Sequence, residues 1–144
     1  MKQPKWLTLE MIVAIHDEAL HYFGGLEGIR DRTLLESAID KPRNKIAHEP
    51  QSSRYNLAAT LGVGLARNHA FVDGNKRTAL LATRAFLYLN DCVLEPAEED
   101  EVIMMVGVAT GAVVQTDFAV WLQKNSKIRK TRVVPKKSRP RSKL

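Results

Sequence analysis

The chain has 144 residues, 44% hydrophobic and 26% charged, with 22 Lys+Arg against 16 Asp+Glu and a formal net charge of +6. That length bounds it to one compact domain with room for a core, and the composition excludes a wholly disordered chain. A lone cysteine, Cys92, excludes a disulfide framework, and no CxxC or Cys/His cluster marks structural zinc.

Apolar spacing predicts an all-α fold of about six helices. Leu9, Ile12, Val13, Leu20 and Phe23 share one helical face, with His16 and Ala19 on or beside it, and Gly24-Gly25 ends the segment. His16 reads there as a satisfied core histidine. A second helix takes Asp31 as N-cap, uses Leu34, Leu35, Ala38 and Ile39, and ends before Pro42. Residues 42–52, polar and basic with two prolines, read as an extended loop or a small β-hairpin. A third helix covers about 53–68, with Leu57, Leu61 and Leu65 spaced four apart. Its Gly62 and Gly64 each cost about 1 kcal/mol against alanine, with close packing as the compensation.

A fourth helix covers about 75–89. Cys92 follows its end without a base partner, which argues against a nucleophile. Pro96 opens a fifth, whose acidic run Glu98–Glu101 suits a helix N-terminus. Its remainder, to about Ala112, is apolar on nearly all sides and predicts a central buried helix. A final helix starts near Thr116, with Phe118, Trp121 and Leu122 inward; Trp6 also reads as packing. The longest uncharged run, Val102 to Thr116, is too short and too polar for a membrane span, and Glu10 and Asp17 break any secretory apolar region. A soluble, cytoplasmic domain with no membrane contact is expected.

The charge is uneven. Residues 124–144 hold ten basic residues and no acidic one, so a +10 tail follows a −4 body. The expected division is therefore a folded domain over 1–123 and a flexible basic tail over 124–144. Clustered Lys/Arg suit contact with RNA or DNA phosphates, but without stacking aromatics sequence-specific reading is not expected.

Chemistry concentrates in Asn68–Thr78, NHAFVDGNKRT, between the third and fourth helices. Gly74 permits a tight turn, and the amides after it open a helix whose dipole favours an anion. Lys76 and Arg77 add positive charge, Arg77 as a two-pronged donor to phosphate. Asp73 is a hard oxygen ligand suited to Mg²⁺. His69 carries an imidazole, which suits a general base. Phe71 reads as the anchor of the loop to the core. The residue types alone fit a second reading equally: a solvated, charged helix start in which His69 caps the loop and Asp73 caps the helix. GNKRT lacks the spacing and preceding strand of a P-loop, and Gly62 with Gly64 makes no dinucleotide fingerprint because Arg67 stands at the third glycine.

The run resembles the HxFx(D/E)GN(K/G)R loop of the Fic/Doc family, and Lys76 matches its Doc branch. GGLEGIRDRTLLESAIDKP from Gly24, LAATLGVGLARNHAF from Leu57 and TALLATRAFLYLN from Thr78 also look like that branch. The resemblance spans roughly residues 5–123.

It implies a small helical bundle with a β-hairpin flap beside the active loop, a role open to residues 42–52, where Arg43, Lys45 and His48 would touch a target chain. It implies His69 as the base activating a target hydroxyl, and Asp73 as the holder of Mg²⁺ on the phosphates of ATP. Gly74, Asn75 and the loop backbone would contact phosphate oxygens, with Lys76 and Arg77 neutralising charge during transfer. Fic enzymes with glycine in place of Lys76 transfer AMP; Doc-like members with lysine deliver the γ-phosphate from a reversed nucleotide. Leu80, where AMP transferases usually carry a second arginine, also favours the kinase. No in-chain inhibitory motif is present, since Phe23 stands where Glu27-Gly28 would require Ser or Thr. The expectation is a toxin restrained in trans by an antitoxin, phosphorylating elongation factor Tu and arresting translation. The alternatives are an AMP transferase on the same scaffold, or a nucleic-acid-binding or RNA-cleaving toxin using His69, Lys76, Arg77 and the tail.

Overall fold

Three helices begin at a side-chain oxygen that accepts an otherwise unpaired first-turn amide. Thr8 accepts from Met11 (3.1 Å) at the start of α1 (Leu9–Phe23), Asp31 from Leu34 (3.0 Å) at α2 (Arg32–His48), and Ser53 from Asn56 (3.1 Å) at α3 (Arg54–Arg67). The helices α4 (Asn75–Leu89), α5 (Glu98–Thr110) and α6 (Gln115–Lys124) have no such side-chain cap. In α5 four first-turn carboxylates complement the helix dipole instead. These helices and one antiparallel pair, β1 (Cys92–Leu94) with β2 (Ser126–Ile128), are the regular elements of the computed structural model, which describes residues 3–129. The all-α fold of six helices is as expected. Among the described residues no helix is long and apolar enough to cross a membrane.

The centre of the bundle is α3, buried without interruption from Leu57 to Ala66 and packed against α2, α4, α5 and α6. Its small residues let those neighbours come close. A Cβ on Gly62 would overlap the Thr83 hydroxyl of α4 and lie 2.9 Å from the Phe118 ring of α6, and one on Gly64 would lie 3.1 Å from the Ala38 methyl of α2. The two glycines are thus repaid by contact, as their sequence predicts.

Four expectations need correction. The first is the position of the central helix: α5 buries only Met105 and Val108 and leaves Val102 and Ile103 60% and 70% exposed. Apolar content did not decide the place; the capacity for close approach did, and α3 has more of it. The second is that α2 does not stop before Pro42 but carries it as a buried residue and continues to His48. Leu35, Ala38, Ile39, Pro42 and Ile46 form one apolar stripe at three- and four-residue steps, and its packing against the core offsets the hydrogen bond that proline removes.

Residues 42–52 therefore form no hairpin, and Arg43, Lys45 and His48 lie on a helix. The third correction concerns the sheet, which forms elsewhere: Cys92, Val93 and Leu94 pair with Ile128, Lys127 and Ser126. The fourth follows from it, because Lys124–Arg129 belong to the folded body rather than to a flexible tail. Arg129 alone donates from its amide to the Asp91 carbonyl (2.6 Å) and from Nε to the Tyr88 carbonyl (3.2 Å). The rest of the expected tail, 130–144, with its flexibility and any nucleic-acid contact, lies outside the described residues.

The packing of α3 yields a stability prediction. Gly62→Ala should cost about 1–3 kcal/mol, the usual penalty for overfilling a packed core, even though alanine is the better helix former by about 1 kcal/mol. Urea unfolding measures the difference; a variant as stable as the parent would mean that Thr83 and Phe118 can give way.

Candidate functional site

The loop joining α3 to α4 is held from behind, and its polar groups are divided between those that hold and those left free. At the end of α3, Asn68 donates from Nδ2 to the Leu34 carbonyl of α2 (3.0 Å). His69 follows with φ +51°, in the left-handed region that non-glycine residues seldom occupy, and its side chain is exposed. Ala70 and Phe71 then turn into the core. The Phe71 ring stacks on His16 of α1 at 3.8 Å between centroids and 8° between planes, and both residues are 2% exposed. The His16 ring donates from Nε2 to the Asp73 carbonyl (2.8 Å); a carbonyl only accepts, so Nε2 carries the proton. His16 is a satisfied core histidine, as its position predicts, and its partner is the backbone of the site itself.

Asn75 closes the loop on the other side. Its Oδ1 accepts from the Phe71 amide and its Nδ2 donates to the Phe71 carbonyl, both at 3.0 Å. This side chain, expected at the phosphates, is therefore occupied by the loop, and its contribution to an anion site is its backbone amide. Gly74, at φ +74°, makes the turn into α4 without a side-chain cap, so Asp73 does not cap that helix. The amides of Asn75, Lys76 and Arg77 have no acceptor among the described residues; the first paired one is Thr78, which donates to the Gly74 carbonyl (3.0 Å). Three unpaired donors at a helix start, beside two exposed cations, form an arrangement that suits an anion.

Asp73 faces the segment before α2. Its Oδ2 accepts from the Leu26 amide (3.0 Å) and its Oδ1 from the Gly74 amide (2.9 Å). These two bonds, Leu26 first, hold its carboxyl below the usual carboxylate range. Gly25, at φ +125°, allows the approach, since a Cβ there would meet Asp73 Oδ2 at 2.9 Å. An exposed, ionised carboxylate with two bonds made keeps lone pairs for a ligand. Among the described residues no group of three or more His, Cys, Asp and Glu could enclose a metal. This donor set fits Mg²⁺, which takes one or two protein carboxylates and completes its shell with water and phosphate. Lys76 is exposed, and the Arg77 guanidinium lies 3.6 Å above the Phe23 ring centroid.

The structure thus brings His69, Asp73, Gly74, Asn75, Lys76 and Arg77 to one loop and helix start. It also supplies what sequence reasoning missed. The extended chain paired with this loop is not 42–52 but the segment ending at Arg30. Val72 donates to the Gly28 carbonyl (3.0 Å), and the amides of Arg30 and Asp31 both donate to Ala70 (2.7 and 3.0 Å). The signal was present in GGLEGIRD, where three glycines, Gly24, Gly25 and Gly28, precede a helix cap without forming a helix; all three have positive φ.

A model of the Fic/DOC family matches residues 6–87. The chain is 33% identical over 119 residues to the "Protein kinase doc" of Escherichia phage P1, a match covering 82% of this chain and 93% of that protein. It is 45% identical over 69 residues to the "Toxin Doc" of Mycolicibacterium smegmatis, covering 47% of this chain and 53% of that relative.

The hold of Asp73 on Leu26 has a pH signature. Both hydrogen bonds favour the charged carboxylate, so their stabilisation is full above the ordinary aspartate value and is lost as pH falls through the lower folded one. Amide exchange at Leu26, corrected for intrinsic rate, should therefore stay protected through the ordinary carboxylate range and rise only below it. Asp73→Ala should remove that protection at every pH. Release beginning above the ordinary range would contradict the assignment.

Proposed function

The chain belongs to the Fic/DOC family, and from that premise we propose that it is the toxin of a toxin–antitoxin pair, a kinase that moves the γ-phosphate of ATP to a protein hydroxyl. The observation that carries this reading is the start of α4, where three unpartnered amides lie between an ionised Asp73 on one side and exposed Lys76 and Arg77 on the other. The triphosphate binds there, its oxygens taking the amides of Asn75, Lys76 and Arg77. Asp73 would hold Mg²⁺, which would supply positive charge against the phosphates during transfer.

His69 takes the proton of the incoming hydroxyl as its oxygen bonds to the γ-phosphorus and ADP departs with the electrons of the broken bond. Lys76 and Arg77 neutralise the charge that grows on the leaving phosphates. Kinase chemistry is preferred to AMP transfer because Lys76 crowds and recharges the phosphate slot that glycine leaves open in AMP transferases, and because Leu80 offers no second arginine. The phage P1 relative, named a protein kinase and matched over most of both chains, supports the same choice. The target is elongation factor Tu, modified on a threonine, and the outcome is arrested translation. Restraint comes from an antitoxin in trans, a reading supported by the relative named a toxin.

Incubation of the protein with a cell lysate, Mg²⁺ and ATP labelled at either phosphate tests the reading. Label should pass to a protein from the γ position alone, His69→Ala should lower the rate by about 10²–10⁴, and Asp73→Ala should abolish the Mg²⁺-dependent transfer. Label from the α position would make the protein an AMP transferase. RNA degradation without transfer, abolished by His69→Ala, would make it an RNA-cleaving toxin.

A further inference from the structure

Arg30 lies outside the motif, and among the described residues no carboxylate lies within 4.0 Å of it. Its guanidinium goes instead to the backbone of the loop: Nε donates to the His69 carbonyl (2.7 Å) and Nη2 to the Asn68 carbonyl (3.3 Å). Its own amide donates to the next carbonyl, that of Ala70 (2.7 Å). One residue therefore holds three consecutive carbonyls at the end of α3.

Two physical reasons make that hold consequential. Of these carbonyls only that of Asn68, the cap of α3, lies at the helix's negative dipole end, where a cationic donor is well matched; those of His69 and Ala70 lie just beyond it. The residue that follows the helix cap is His69, at φ +51° in a position where glycine is usual. A histidine keeps that conformation only where surrounding contacts over-determine it. The planar fork of an arginine reaches two neighbouring carbonyls at once, which an ammonium group cannot do in the same way.

We propose that Arg30 is a positioning residue for His69, fixing the left-handed backbone from which the imidazole is presented. The role deepens the phosphotransfer reading and rests on it for its kinetic consequence, while the backbone effect is independent of it.

Two measurements on the full chain test the role. In Arg30→Gln, NMR shifts and the HN–Hα coupling of His69 should move away from left-handed values with little change in the unfolding midpoint; Arg30→Lys should fall between. Given γ-phosphate transfer by the parent, kcat should drop about 10- to 100-fold, the scale of a small misplacement of a catalytic group, while KM for ATP holds. A left-handed His69 signature retained in Arg30→Gln overturns the proposal, as does an unchanged kcat. A loss expressed in KM for ATP also overturns it, since Arg30 would then serve the nucleotide. If Arg30→Gln does not fold, Arg30→Lys carries the same measurements. If the parent transfers no phosphate, the kinase reading fails and the His69 spectrum alone decides the role of Arg30.

Discussion

Helix α3 has no room for a side chain at Gly62, and that shortage of space governs the rest of the molecule. Because α4 and α6 meet α3 through the Thr83 hydroxyl and the Phe118 ring, the α3–α4 pair has little freedom to slide. The loop between them then begins and ends at fixed points. A loop that presents a histidine, a carboxylate and three free amides together needs such fixed points, since small displacements of reacting groups are costly. Arg67, the last residue of α3, adds to the restraint by donating to the carbonyls of Val108 and Val113 (both 2.8 Å).

Within the loop, side chains sort by direction. Phe71 and Asn75 face inward and spend their groups on packing and on the loop backbone, with His16 behind them. His69, Asp73, Lys76 and Arg77 are exposed. This division explains why so short a segment can be both rigid and reactive. The inward residues satisfy the loop's own peptide groups, and the outward ones are left with valences to use.

Much of this was legible in the sequence. The helices were readable from apolar spacing, Asp31 was readable as a cap, and the loop was readable from the density of charge around Gly74. What escaped has physical reasons. Pro42 is a strong local stop signal, overridden because the apolar stripe continues through it to Ile46. The outer face of α5 misled because apolarity was taken for depth, whereas depth followed from small residues. Arg30 escaped because its partners are backbone carbonyls 38 and 39 residues away, and backbone acceptors leave no trace in side-chain identity.

The return of β2 onto β1 gives the charge pattern a second meaning. A net-charge boundary suggests that the domain is complete by residue 123, yet β1 carries the buried Cys92 and has no other strand partner among the described residues. Removing everything beyond that boundary would leave a row of unpaired peptide groups on β1, a template for pairing with another chain. The residues after α6 therefore cover the edge of β1 that such a cut would open. On β2, Lys127 is exposed and pairs with Glu95 at 3.7 Å.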